Sequence, residues 1–551
     1  MFYNIARAFL LLLTFISYVT PANVLFFLHG TNQFDRHIFE FLAQQIALRH
    51  HNVVTVKPIL VPEEPRLVKP RLHLVREKII KNTLPKELYG PIEDVSSTVP
   101  WNKNYELDSY NVPYWAGYNA SCYKLINSNL METIKRDQIE VAVIYNNNPC
   151  QLAIVHALSI PFIYFDLEGL SDETIIASGM PWNLNTVSSR TTPSSKTGEL
   201  YTGLELVKES LCQLDLPFIT NELCTRVRLV DNAISKIFRE DYDIKKKFKH
   251  FPHVNQIKQS AEFYFVNTDS LLESDRSWPS NVVPVGGTHI DFPKPLFYPW
   301  NTSISSAPAG LILVQLGANV DGSAMPEHLV KAFVGALSKL TKYRIYWRIG
   351  TNLYLKNVDI DSLPSHINVT TYIPQNDLLA HRRCKLLITN GGMSSIMEAL
   401  TYGVPLLGLP LYGVNYKNLW NVEQQGLGLM LRKDKIDEKI LLQTMKKLLD
   451  TPIYKKKAED FSKALKSRPG TAFERVLHAI EHVAKHGAAK FYKNGPKKTG
   501  LALYLEVHHL DFYLIVISGL SFLLFVAFTV LRMFSRFMRR GGDNKEKLKK
   551  H

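Results

Sequence analysis

Three features of the 551-residue sequence predict an α/β protein made of two doubly wound parallel-sheet domains and one C-terminal transmembrane helix. Two series of strand-length apolar runs alternate with helical patterns. A stretch rich in Pro, Gly and Ser separates the two series, and a twenty-residue uncharged run, 512–531, stands near the C-terminus. Strands that are apolar along their whole length belong to parallel sheets covered by helices on both faces. A chain this long exceeds a single core and suits two domains of ordinary size. An apolar content of 46% is that of a globular protein and excludes bulk disorder.

Residues 1–22 hold one charge, Arg7, an apolar run at 8–16 and a small-residue exit at Thr20-Pro21-Ala22. The run is too short to span a bilayer, so it is expected to be a cleaved secretory signal. The first domain, 23–287, carries apolar runs at 24–28, 53–56, 141–145, 162–165 and 263–267. Periodicity lapses over 288–308, the expected linker. The second domain, 309–490, repeats the pattern at 311–317, 344–348, 369–373, 386–389 and 405–409. Ligands of such sheets sit outside the carboxyl ends of the strands, which places a site in the cleft between the domains.

After a juxtamembrane segment, 491–511, the run 512–531 has the length an α-helix needs to cross roughly 30 Å of hydrocarbon. The tail, 532–551, carries eight Lys or Arg against Asp543 and Glu546, a net +6 of the formal +15. By the positive-inside rule the tail is cytosolic and the bulk lumenal, a type I topology. The basic balance is thereby mostly a topology signal and calls for no nucleic acid. Acceptor triplets at Asn119, Asn301 and Asn368 fall on the lumenal side. Five scattered cysteines exclude a disulfide-dense scaffold or a standard zinc site and leave at least one thiol unpaired, with Cys212–Cys224 one bridge open to the chain. The adjacent pairs His50-His51 and His508-His509 would not converge on one metal, and the lysine run 245–247 reads as a solvated helix face.

The stretch 386–418, LLITNGGMSSIMEALTYGVPLLGLPLYGVNYKN, reads as strand, two-glycine turn, helix, turn and strand. Gly391 and Gly392 allow a tight turn and a close approach to a ligand. The helix beginning near Met393, with Ser394 and Ser395 in its first turn, would direct free N–H groups and its positive dipole end at an anion. Glu398, about one turn in, is placed to accept both hydroxyls of a ribose.

The spacing G-G-x-x-S-x-x-E-A-x-x-x-G-x-P-x-x-x-x-P over 391–410 resembles the signature of the UDP-glycosyltransferases, and among them the membrane-anchored UDP-glucuronosyltransferases. The likeness extends to TYIPQNDLLAH at 371–381, RIYWRIG at 344–350, VPVGG at 283–287 and the order signal, two domains, HHLDF, span and basic tail. It implies a GT-B fold, two Rossmann-like domains facing across a cleft, and inverting transfer of glucuronic acid or a hexose from a UDP-sugar to small lipophilic acceptors. It implies no separate cofactor, since the UDP-sugar is the donor substrate, and no metal. Homo- or hetero-oligomers stay open. Carried over residue by residue, the resemblance puts Tyr372 against uracil, Gln375 beside it and Glu398 on the ribose. Asn390, Gly391, Gly392, Ser394 and Ser395 would line the phosphates, and Asn415 the sugar.

Six positions depart from the family. Asn390 stands where the family has His, and Ala318 where it has Ser. Val414-Asn415 replace the Asp-Gln pair that holds the sugar hydroxyls, and valine accepts no hydroxyl. Gapless alignment sets Asp35 at the place of the catalytic His and Tyr145 at the place of the Asp that orients it, with His37 and His29 as nearby alternatives. Inverting transfer needs a base to strip the acceptor hydroxyl, and Asp35 serves only if burial raises its pKa. Two readings follow: an endoplasmic-reticulum UDP-glycosyltransferase with impaired transfer, or a non-catalytic UDP-binding or partner protein on the same fold. A dinucleotide oxidoreductase is excluded by the lack of G-x-G-x-x-G between strand and helix. Lys547 and Lys549, fifth and third from the end, resemble a dilysine retrieval signal.

Overall fold

The computed structural model describes residues 21–28, 33–62, 74–101, 112–146, 148–180, 230–273, 277–305, 307–318, 320–350, 352–411, 413–489, 492 and 510–548. The expected signal, His29, Cys212 and Cys224 lie outside them or nearly so, as do most of the juxtamembrane segment and the last three residues.

Seven strands form the first sheet: β1 (Asn23–Phe27), β2 (Asn52–Pro58), β3 (Val75–Ile80), β4 (Val141–Tyr145), β5 (Phe162–Asp166), β6 (Phe263–Val266) and β7 (Val282–Pro284). Their order is β3-β2-β1-β4-β5-β6-β7, every pairing parallel. The second sheet orders β8 (Gly310–Gln315), β9 (Tyr343–Arg348), β10 (Ile367–Thr370), β11 (Cys384–Thr389), β12 (Leu406–Gly408) and β13 (Gly428–Met430) as β10-β9-β8-β11-β12-β13, again all parallel. Strand order reverses between β1 and β4 in the first sheet and between β8 and β11 in the second. These reversals open crevices at the strands' carboxyl ends.

The central strands are buried at every residue, as β4, β5 and β8 show, because helices cover both faces. Three strands escape the apolar-run criterion. Edge strand β3, VREKII, is largely solvent-facing, while β7 and β13 are only three residues long. Charged or short edges protect a sheet from pairing with other chains, and the same property hides them from a hydrophobic scan.

The packing does not follow the boundary at 490. Helix Ala472–His486 turns back onto the first sheet, where Val476, Ala479, Ile480 and Val483 join Val24, Phe26, Ile46 and Val143 in one apolar core. A capping box, Thr471 with Glu474, starts that helix, and Arg475 donates to the Pro284 carbonyl. His51 is buried beneath it, its Nδ1 accepting from the Ala22 N–H and its Nε2 lying 3.2 Å from Glu481. In the opposite direction, Val99 and Trp101 enter the core of the second domain, and the Trp101 indole donates to the Asp321 carbonyl. The linker's far half also joins the second domain: helix Trp300–Ser305 packs Trp300 against Tyr346, their ring centroids 4.7 Å apart and their planes tilted by 60°. Such crossings follow the hydrophobic faces, which pack wherever a complementary surface is available.

Cys122 and Cys150 form a disulfide that ties helix Val112–Ile126 to the start of helix Pro149–Ala157, and Cys384 is free and buried. The C-terminal helix, Leu510–Leu548, contains the 21-residue stretch Tyr513–Met533, long and apolar enough to cross a membrane and not buried against the rest of the chain.

Candidate functional site

The crevice beside β11 is shaped by the turn Asn390-Gly391-Gly392, which leads into helix Met393–Thr401. Gly391 adopts φ +91°, and a Cβ there would meet Leu419 at 2.6 Å and the Asn415 carbonyl at 2.9 Å. Only glycine fits that position. Gly392, with φ −61° and ψ 129°, is open: an added Cβ would meet only Asn390 Oδ1, at 3.5 Å. The first glycine shapes the turn, and the second bares the backbone at the helix N-terminus.

Asn390 is buried, and its Oδ1 accepts the Gly392 N–H at 3.2 Å. Its Nδ2 lies 2.6 Å from where a Cβ on Gly317 would stand. The amide thus bridges two glycine loops and competes with any anion for one of the cradle's own donors. Arg348, buried at the end of β9, donates to the Gly317, Ala318 and Thr371 carbonyls and braces the loop containing Ala318.

Farther along the helix the side chains converge. Gln375 begins helix Gln375–Ala380, and its Nε2 donates to Ser395 Oγ at 3.1 Å and to Glu398 Oε2 at 2.8 Å. Its Oε1 is buried without a partner among the described residues. The other carboxylate oxygen, Glu398 Oε1, is 3.1 Å from His289 Nε2. Tyr372, three residues before Gln375, is 66% exposed. The chemistry on offer is an exposed aromatic ring, an amide with an unused acceptor oxygen and a carboxylate held on both oxygens more than one turn into the helix, whose N-terminus favours an anion.

The opposite wall comes from the first domain. Asn267 Nδ2 donates to Ser394 Oγ at 3.3 Å. The segment after β5 presses on helix Gly413–Gln424: Asn418 Nδ2 donates to the Glu168 and Gly391 carbonyls, and Lys417 Nζ to the Leu170 carbonyl. On that helix Val414 is half-buried, while Asn415 is buried with its Nδ2 unpartnered among the described residues.

Tyr145, at the end of β4, donates its hydroxyl to Glu168 Oε1 at 2.9 Å. Its ring meets Phe39 edge-on at 6.5 Å, one turn on from Asp35 in helix Gln33–Leu48. The side chain of Asp35 lies outside the described residues, and His37 is exposed. Behind this wall Asp166 is fully buried, accepting from the Ser171 N–H, Ser171 Oγ, Thr174 Oγ1 and Asn146 Nδ2. Burial pushes its carboxyl up to about 6 despite these donors.

Gln375, Ser395 and Glu398 therefore share one cluster, with the exposed Tyr372 three residues before Gln375 and the cradle of Asn390, Gly391 and Gly392 at the foot of the helix that carries Ser395 and Glu398. Ser394 faces the first domain, and Tyr145 belongs to the opposite wall. His289, Glu168, Asn418 and Arg348 escape the sequence reading. Each touches a residue remote from it in sequence, so no local spacing announces it.

The family described as UDP-glucoronosyl and UDP-glucosyl transferase (UDPGT) matches residues 42–547. The chain is 24% identical over 427 residues to a 2-hydroxyacylsphingosine 1-beta-galactosyltransferase of Mus musculus, covering 76% of this chain and 72% of that one. It is 29% identical over 269 residues to UDP-glucuronosyltransferase 3A1 of Bos taurus, covering 47% and 50%. Among solved structures, a complex of a UDP-glucosyltransferase from Polygonum tinctorium superposes with TM-score 0.55 at 16% identity, covering 85% of this chain and 99% of that one. The fold is GT-B.

Proposed function

The chain belongs to the UDP-glucoronosyl and UDP-glucosyl transferase family, and from that premise we propose that it is a type I protein of the endoplasmic-reticulum membrane that binds UDP-sugars in its second domain and transfers the sugar to small lipophilic acceptors with impaired turnover. The observation that carries the reading is the convergence of Gln375, Ser395 and Glu398 beside a turn that only glycine can make, with the exposed Tyr372 three residues before Gln375. The membrane placement is supported by the unburied apolar stretch Tyr513–Met533 and the basic tail after it. A lipophilic acceptor is in keeping with 2-hydroxyacylsphingosine in the name of the mouse relative.

In this reading Tyr372 stacks on uracil, Glu398 takes the ribose hydroxyls, and the N–H groups of the first turn of helix Met393–Thr401 with its dipole hold the diphosphate. As the acceptor oxygen attacks the anomeric carbon, a base removes the hydroxyl proton and UDP departs with inversion at that carbon. Here the supply of groups thins. Asn390 brings no charge to the phosphates, Val414 accepts no sugar hydroxyl, and Tyr145 spends its hydroxyl on Glu168. Asp35 stands at the position of the base.

The second reading, a non-catalytic UDP-binding or partner protein, is favoured by one contact set. The Glu168 and Leu170 carbonyls are bound by Asn418 and Lys417, which clamps the acceptor wall onto the helix carrying Val414 and Asn415. Incubation of the full-length protein in detergent with a panel of UDP-sugars and acceptors, measuring both binding and UDP release, separates the two. Acceptor-dependent UDP release identifies an enzyme; binding without release identifies the second reading; no binding refutes both.

A further inference from the structure

The chain leaves β7 through Val285-Gly286-Gly287-Thr288-His289. The Val285 and Gly286 N–H groups bond to the Val266 and Thr268 carbonyls, and a Cβ on Gly286 would fall 2.7 Å from the Thr268 backbone. Gly287 then turns with φ +85°, and the Ile290 N–H closes back on the Gly287 carbonyl at 3.0 Å. This pair of glycines swings the next side chain out of the first domain and onto helix Met393–Thr401 of the second. The following residues stay fastened there: the Asp291 carbonyl accepts from Asn376 Nδ2, and the Lys294 N–H donates to Asp377.

His289 Nε2 stands 3.1 Å from Glu398 Oε1, with 5% of the imidazole and 13% of the carboxylate side chain exposed. A carboxylate has no proton to give, so Nε2–H donates, and Nδ1 is the ring's second polar atom. That Nδ1 is buried without a partner among the described residues. An unmet buried polar atom costs stability that an apolar residue of similar shape would not. Gln375 holds the second oxygen of Glu398 at 2.8 Å. Each carboxylate oxygen has two lone-pair sites. With one used on each side by His289 and Gln375, one per oxygen remains, the number a vicinal diol requires.

We propose that His289 is a positioning residue of the nucleotide site, holding Glu398 in the orientation that receives the two ribose hydroxyls and tying that contact to the linker between the domains. This rests on the reading of the site as one for uridine diphosphate. His289 touches the carboxylate and acts on the ligand through it.

The test is calorimetry on the full-length protein in detergent with two probes, UDP and 2′,3′-dideoxy-UDP, which lacks the diol. His289→Ala should weaken UDP by about tenfold, the scale of one charge-assisted hydrogen bond, and leave the dideoxy probe unchanged. That unchanged binding also reports an intact fold. His289→Gln, which keeps an N–H donor, should recover most of the loss, and His289→Ala added to Glu398→Ala should weaken UDP no further. UDP affinity unaltered in His289→Ala, or equal losses for both probes, overturns the assignment. If UDP binds and only Glu398→Ala weakens it, the site reading stands and the role of His289 falls. If the unmodified protein binds no UDP, both fall.

Discussion

The two glycines of the cradle have different physical roles, and alanine at each should fail in a different way. At Gly391 a methyl group would be placed at φ +91°, where an L-residue pays about 1–2 kcal/mol, and 2.6 Å from Leu419 and 2.9 Å from the Asn415 carbonyl. Overpacking of a tight core adds about 1–3 kcal/mol, so Gly391→Ala should destabilise the second domain by about 2–5 kcal/mol. At Gly392 the backbone is ordinary and the nearest atom to the added Cβ, Asn390 Oδ1, sits at a comfortable 3.5 Å. Gly392→Ala should leave stability within about 1 kcal/mol, with a slight gain from the stiffer unfolded chain. The same methyl group stands where an anion would approach the helix N-terminus, so UDP affinity should fall by about tenfold or more. Urea unfolding of the two variants in detergent, paired with calorimetric UDP titration, gives both quantities. Equal destabilisation by the two substitutions, or UDP affinity retained in Gly392→Ala, would refute this division of roles.

Other outcomes follow from the same structure. Ile480→Ala, in a helix near the C-terminal end of the folded part but buried on the first sheet, should cost about 2–5 kcal/mol. Hydrogen exchange should show the lost protection in β1 and β4; loss confined to β8 and β11 would contradict the crossing. The buried Asp166 is held protonated more readily in the fold, at about 6 against 3.8 for the free group. Its contribution is therefore fully present below pH 3.8 and is lost as pH rises through about 6, on the order of 3 kcal/mol. Asp166→Asn should flatten the unfolding free energy over that window, and parallel pH profiles for the two proteins would count against it. Glycosylation should occur at the exposed Asn301 and Asn368 and not at Asn119, whose Oδ1 is buried in helix Val112–Ile126; glycosidase-sensitive mass lost in Asn119→Gln would disprove this. Transfer should be restored only by combining Asp35→His, Tyr145→Asp, Val414→Asp and Asn415→Gln, because groups that act as a unit are strongly non-additive. A single substitution that restores acceptor-dependent UDP release would show that the remaining positions are not needed.

What the sequence determined by itself is whatever repeats locally: unbroken apolar runs such as VAVIY and GLILVQ, which parallel strands require, the uncharged run that becomes Tyr513–Met533, and the two-glycine turn whose spacing to Glu398 carries the family signature. Each depends on residues within a few positions of one another, where backbone sterics and burial leave few alternatives. Edge strands β3, β7 and β13 were not legible: β3 faces solvent and is interrupted by charged residues, and β7 and β13 are short segments at the sheet edges set among glycines and prolines. The pairing of Cys122 with Cys150 was no more legible, because connectivity depends on how helices pack. Tertiary structure alone decided that helix Ala472–His486 serves the first domain and Trp101 the second. It also decided that Tyr145 meets a carboxylate from Glu168, and that Glu398 is held by a histidine 109 residues away. Those contacts join segments that no local pattern links, and only tertiary packing, within the first domain for Tyr145 and between the domains for Glu398, brings their polar groups together.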